Sequence, residues 1–304
     1  MQQSLHTYLS LQQIDAEPLM QRMDTIYRPL AEWLRLQCEN SSQPIVVGIN
    51  GAQGTGKSTL ATLLKILLKE SCALESIVLS LDDYYLSQEQ RAVLAGSVHP
   101  LLKTRGVPGT HTIDQLNDQL EQLIELQPGK QIELSRFDKA TDDVSPAEVW
   151  KCPQQGLDLI LLEGWCVGAT PQTEQQLEAP VNRLEHERDS DGRWRTFVNQ
   201  KLKGSYQVLN SRLDFLLMLL TPDFESVVEW RKLQESKLRA LNPDYGMKAG
   251  ELRAFMEYFQ RLTEFMRTEM PQRADVVLAV AENHQVESMV PNLQSVKYSR
   301  GEEL

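Results

Sequence analysis

The sequence predicts an α/β fold, with a mostly parallel central sheet flanked by helices in three layers. Three observations predict it. An apolar, β-branched run from Ile45 feeds a glycine-rich loop that opens directly onto the helical spacing of Leu60, Leu63, Leu64 and Leu67. Further apolar runs recur at residues 76–81, 157–162, 214–220 and 274–280. Stretches of helical period separate them, the alternation that belongs to parallel strands joined by crossover helices.

With 304 residues and 41% hydrophobic content, the chain is long enough to bury one large core with a helical appendage. We divide it into an N-terminal helical extension over 1–43 and one domain over 44–304. The formal net charge of -11 argues against a sequence-independent grip on nucleic acid or an anionic membrane. A small anion can still be held by a local basic pocket. Cys38, Cys72, Cys152 and Cys166 lie far apart, with no C-x-x-C pair and no His at ligand spacing, so neither zinc nor a disulfide framework is expected. The first residues lack a basic start followed by an apolar core, and no run has bilayer length, so a cytoplasmic protein is expected. No protein partner is inferable.

Taken in order, residues 5–38 carry spaced apolar residues with Pro18 and Pro29 as breaks, which predicts two or three short helices. The loop that follows the first strand reads Gly51-Ala52-Gln53-Gly54-Thr55-Gly56-Lys57-Ser58-Thr59 and fits G-x-x-x-x-G-K-[ST]. Its glycines let main-chain N–H groups converge on phosphate oxygens, and the helix amino end adds partial positive charge. Lys57 reaches the terminal phosphates, and the Ser58 hydroxyl can sit on magnesium. The fold class therefore sharpens to a three-layer P-loop NTPase fold.

The next strand ends in Asp82-Asp83-Tyr84-Tyr85, where a parallel sheet places its ligands. Strand alternation implies that one of the two acids faces the phosphates; a helix cap or turn suits Asp equally. Residues 88–108 read as loop and run into Lys103-Thr104-Arg105-Gly106-Val107-Pro108-Gly109-Thr110-His111, a composition that suits an anion-holding loop or a solvated turn. Thr112 can cap a helix through Leu116, Leu120 and Leu123. A short strand at 131–134 delivers Arg136-Phe137-Asp138-Lys139 to a strand end, and Asp142-Asp143 with Pro146 reads as loop.

The run at 157–162 closes on Glu163-Gly164-Trp165, and behind a P-loop such an acid suits the second half of a magnesium site. Residues 170–204 read as a polar, turn-rich surface excursion before a helix through Trp194, Phe197, Val198 and Leu202. Residues 224–241 are strongly helical, with Arg231 and Arg239 two turns apart on one face; a lid over the transferring group and a solvated helix both fit. A long helix over 250–270 and a last strand at 274–280 complete the chain.

Together these segments resemble the kinases of small hydroxylated metabolites that include uridine kinase, pantothenate kinase and phosphoribulokinase, and within them the D-glycerate 3-kinase branch. The likeness is carried by GINGAQGTGKST at 48–59, SLDDYYL at 80–86, RGVPGTH at 105–111, RFDKA at 136–140, EGW at 163–165 followed by Gly168, WRKLQESKLR at 230–239, and Gly246-Met247. The resemblance implies that Asp82 is the catalytic base, Lys57 and Ser58 contact phosphate and magnesium, and Glu163 is the Walker B acid. It implies a lid of Arg231 with Lys237 or Arg239, and an acceptor site of Arg105, His111 and Lys139, to which Tyr84 is added. Acceptor-site insertions then fall at about 84–150 and 170–210.

Two departures flank the acceptor site. Thr112 follows the RG-x-x-GTH loop where these kinases tend to have Asp, and Ala140-Thr141-Asp142-Asp143 stands where plant-type members carry a Gly-Arg-rich run. The expected reaction is transfer from ATP, with magnesium, to a hydroxyl of a small carboxylic acid, D-glycerate first. Pantothenate, a nucleoside or a sugar phosphate would leave the same motifs. A nucleotide-gated regulatory protein without metabolite kinase activity is the reading from another class; a guanine-type [NT]-K-x-D signature is absent.

Overall fold

The computed structural model describes residues 2–11, 14–241, 247 and 249–292. Three helices come first: α1 (Gln2–Leu11), α2 (Ala16–Gln21) and, after a π-turn, α3 (Arg28–Glu39). Both prolines stand in first turns of helices, α2 and α3, where the missing N–H costs no intrahelical bond. β1 (Ile45–Gly51) leads through the glycine loop into α4 (Lys57–Cys72), and β2 (Ser76–Ser80) follows. Then come α5 (Gln88–Ser97), α6 (Ile113–Ile124), the hairpin strands β3 (Gln131–Asp138) and β4 (Asp143–Lys151), and β5 (Leu159–Gly164). Four helices, α7 (Glu174–Glu178), α8 (Arg183–Arg188), α9 (Arg193–Lys203) and α10 (Ser205–Ser211), precede β6 (Phe215–Leu220). The described part ends with α11 (Phe224–Leu241), α12 (Ala249–Glu269), β7 (Val276–Val280) and β8 (Val286–Pro291).

The main sheet has the order β2-β5-β1-β6-β7-β8, parallel except for β8. β1 is central, with β5 and β6 on its two sides, so its carboxyl end faces the crevice where strand order reverses. Both faces of the sheet are covered. Ile45, Val47 and Ile49 pack with Leu30, Leu34, Leu60 and Leu64 from α3 and α4; Val46 packs on the opposite face with Leu116, Leu209 and Met266 from α6, α10 and α12. Burial on both faces explains why β1 is apolar without alternation. The N-terminal helices share the first of these two cores with the glycine-loop helix.

Several expectations are corrected. Residues 88–97 are helical rather than loop, because Ser87 and Gln90 form a reciprocal capping box. The short strand expected at 131–134 runs on to Asp138 and pairs with β4 in a separate antiparallel hairpin over 131–151. Asp143 and Pro146 lie within β4, and the ladder accepts the proline because its register shifts between Leu134 and Arg136, opposite that stretch. The helix expected through Trp194 and Leu202 is α9, but the stretch over 170–204 is no mere surface excursion. Glu185, Asp189, Trp194 and Arg195 are all buried there. Finally, β8 follows the strand expected to be last and pairs antiparallel with it. Among the described residues no helix is long and apolar enough to cross a membrane.

Candidate active site

The glycine loop joins the carboxyl end of β1 to the amino end of α4. Gly56 stands at the helix cap with φ of 89°, a left-handed backbone that glycine adopts without strain, and no side chain caps the helix there. The free N–H groups of the first turn are therefore available to an anion. Lys57 Nζ donates to the Ala52 carbonyl at 3.0 Å, and the Thr55 hydroxyl donates to the same oxygen at 2.9 Å. Burial pulls the Lys57 ammonium below its ordinary pKa, against the opposing charges of Glu163 and Asp82.

Glu163 is the next-to-last residue of β5, and parallel register sets it beside Ile49 of β1 and Ser80 of β2. It is buried, and its Oε1 accepts the Ser58 hydroxyl at 2.8 Å and the Ser80 hydroxyl at 2.9 Å. Hydroxyls and a carboxylate make an all-oxygen set, the donor chemistry of a hard divalent cation.

Beyond Ser80 the chain turns through a single 3-10 turn, Leu81–Tyr84, rather than continuing as strand. Asp82 and Asp83 diverge because that turn rotates each residue by roughly 120°. Asp82 Oδ2 lies 2.6 Å from Lys139 Nζ, and Oδ1 accepts the Tyr85 hydroxyl at 2.7 Å. Asp83 takes Arg136 Nη1 at 2.6 Å instead. Burial pushes the Asp82 carboxyl upward, but the charge and hydrogen bond of Lys139, the Tyr85 hydroxyl and Lys57 together hold it down at about 2. Asp83 is raised by burial, only partly offset by Arg136. Lys139 itself sits just past β3, at the hairpin turn, and not at a strand end of the main sheet.

The loop 105–111 is laced to the residues after Asp82: Leu86 N–H donates to the Thr110 carbonyl at 2.9 Å and Thr112 N–H to the Tyr84 carbonyl at 2.7 Å. His111 is consequently stacked on Tyr85, with ring centroids 4.6 Å apart. Gly109 has φ of 98°, and a Cβ there would lie 2.7 Å from the Phe197 ring of α9. Arg105 lies 5.5 Å from the Phe137 ring and 5.9 Å from that of Tyr85, and its guanidinium is paired with Asp142.

Lys57, Ser58, Asp82, Glu163, Lys139, Arg105 and His111 thus converge. Tyr84 does not join them: it is 1% exposed, and its hydroxyl donates to Gln119 at 2.7 Å in the core. The 3-10 turn exchanges the expected roles, so Tyr85 is the tyrosine that reaches Asp82. On α11, Arg231 is paired with Glu235 one turn on, and Arg239 Nη1 donates to the Met247 carbonyl at 2.6 Å. The Lys237 side chain lies outside the described residues. Ser80, Tyr85, Asp142 and Tyr206 are site residues to which the motifs assigned no role; Ser80 and Tyr85 had a readable signal, since both lie in the SLDDYYL stretch around Asp82.

No family model matches the chain. It is 29% identical over 254 residues to an uncharacterized kinase of Schizosaccharomyces pombe, covering 79% of this chain and 87% of that protein. It is 28% identical over 223 residues to a chloroplastic D-glycerate 3-kinase of Arabidopsis thaliana, covering 71% of this chain but 46% of that protein, so it spans about half of that relative's length. A D-glycerate 3-kinase structure from Cryptococcus neoformans superposes with a TM-score of 0.69 at 23% identity, over 88% of this chain and 99% of that one. The fold is shared with that structure.

Proposed function

We propose, for a chain whose relatives are P-loop kinases, that it transfers the γ-phosphoryl group of ATP to a hydroxyl of a small carboxylic acid, with D-glycerate the leading acceptor. One observation carries this reading. The Asp82 carboxylate links the two sides of the cleft: Ser80, two residues before it, shares Glu163 Oε1 with Ser58 of the glycine-loop helix, and its own Oδ1 accepts the hydroxyl of Tyr85, whose ring stacks on His111 of the acceptor loop.

In the proposed reaction the acceptor hydroxyl oxygen forms a bond to the γ-phosphorus as the bond from that phosphorus to the β,γ-bridging oxygen breaks, and ADP leaves. Asp82 orients the hydroxyl and receives its proton. The glycine-loop N–H groups and Lys57 hold the phosphates in line. Arg105, His111 and Lys139 hold the acceptor, whose carboxylate replaces part of what Asp142 gives Arg105 and Asp82 gives Lys139 in this structure. Arg231 and Arg239, once released from Glu235 and Met247, are placed on a helix able to close as a lid. Ser58 and Glu163 fit magnesium, which supplies charge neutralisation of the phosphates when bound.

A coupled assay of ADP release over a panel of small hydroxy acids, nucleosides and sugar phosphates tests this. D-glycerate should accelerate release above the ATP-only rate. Hydrolysis that no small hydroxyl compound accelerates would overturn the reading.

A further inference from the structure

The two ring nitrogens of His111 are treated unequally. Nδ1 lies 2.6 Å from Tyr206 Oη, whereas Nε2 is buried and has no hydrogen-bond partner. The direction of the first bond follows from counting protons. Tyr206 is 1% exposed, and its oxygen already accepts the Gly109 N–H at 3.3 Å. Were Nδ1–H the donor, the buried hydroxyl proton of Tyr206 would have no acceptor among the described residues. With Tyr206 donating, both its proton and its oxygen are engaged, and Nδ1 is the acceptor.

Burial holds the imidazole at about 4, against the pull of Asp82, so the ring is neutral near pH 7. A neutral ring that accepts at Nδ1 carries its hydrogen on Nε2. This N–H belongs to a ring stacked on Tyr85, whose hydroxyl is hydrogen-bonded to Asp82.

We infer that Tyr206 is a positioning residue that fixes His111 in its Nε2–H tautomer, so that a neutral donor selects an acceptor molecule offering a carboxylate or hydroxyl oxygen beside the reacting hydroxyl. Tyr206 reaches the loop from α10, so the insertion before β6 takes part in acceptor selection. The selection step rests on the kinase reading; the tautomer does not.

The test uses the 15N-labelled full chain and long-range proton–nitrogen correlation, with the His111 signals assigned by their loss in His111→Gln. At pH 7 Nε2 should be protonated and Nδ1 bare. A protonated Nδ1, or averaging between tautomers, overturns the inference, and this holds even if no acceptor is ever phosphorylated. In Tyr206→Phe the tautomer preference should be lost and the acceptor KM should rise about tenfold, the loss of one buried hydrogen bond, with the ATP KM unmoved. An unchanged acceptor KM in folded Tyr206→Phe also overturns it. If that variant does not fold, the wild-type spectrum still decides.

Discussion

Lys139 Nζ lies 2.6 Å from Asp82 Oδ2 across 57 residues of sequence, joining the hairpin turn to the end of β2. Burial alone would raise the Asp82 carboxyl, and Lys139 is the first of the groups that reverse this. With its pKa at about 2, Asp82 is ionised throughout the working range.

The acid limb of kcat/KM set by Asp82 should therefore lie below about pH 4 in the wild type. In Lys139→Ala burial is opposed by less, the Asp82 pKa rises, and the acid limb moves toward neutrality. The stability linkage has the same sign. A depressed carboxyl stabilises the fold above its unfolded pKa, and that contribution is lost as pH falls through about 2. Melting temperature against pH, for wild type and Lys139→Ala, measures the second effect; superimposable curves would remove Lys139 from this role.

Asp82→Asn keeps the shape of the side chain and its hydrogen bond to Tyr85 but cannot take a proton. Turnover should fall about a hundredfold to ten-thousandfold, the range for removing a general base. ATP affinity by calorimetry should stay near the wild-type value, because the glycine loop and Lys57 do not hydrogen-bond to Asp82. A variant with near-normal turnover would move the proton acceptor elsewhere.

How much of this was legible in the sequence depends on whether local spacing or tertiary contact sets each feature. The glycine loop, Lys57 and Glu163 were legible because a motif or an apolar run ending in an acid is local. α11 and α12 were legible from helical period within a residue or so. Tyr84 was added to the acceptor site with the SLDDYYL resemblance, but the 3-10 turn over Leu81–Tyr84 sends its ring into the core, a direction that the motif alone does not give. The strand β4 was hidden by Pro146, which a bulge tolerates, and α10 was hidden because its seven residues are too short to show a period. Tyr206 bonds to His111 across 95 residues, and no spacing announces such a contact.

Asp142 holds Arg105, and its other carboxylate oxygen lies 2.9 Å from buried Arg91. An acceptor carboxylate must compete with it for Arg105. Asp142→Asn weakens that competition while preserving the backbone, since Asn tolerates the φ of 57° found there and Arg91 keeps its bonds to the carbonyls of Leu86, Lys103 and Asp142. The KM for a carboxylate acceptor should fall several-fold, of the order expected for a part-exposed ion pair, and that for an uncharged analogue such as the amide should not. Equal effects on both would show that the change acts through loop structure instead.

Glu185 and Arg261 form a bidentate pair, with Nε to Oε1 at 2.7 Å and Nη2 to Oε2 at 2.6 Å, and Glu185 is wholly buried. Arg261 also donates to the Gln176 carbonyl at 2.7 Å and the Ala179 carbonyl at 2.5 Å, so it ties α7 and α8 to α12. Removing the carboxylate leaves a buried guanidinium charge that two carbonyls do not neutralise. Glu185→Leu should therefore destabilise the protein by about 3–5 kcal/mol, measured by urea unfolding. Because α9 packs Phe197 against Gly109 of the acceptor loop, loosening this insertion should raise the acceptor KM more than the ATP KM. Destabilisation with both constants unchanged would confine the pair to holding the fold and separate the insertion from the acceptor site.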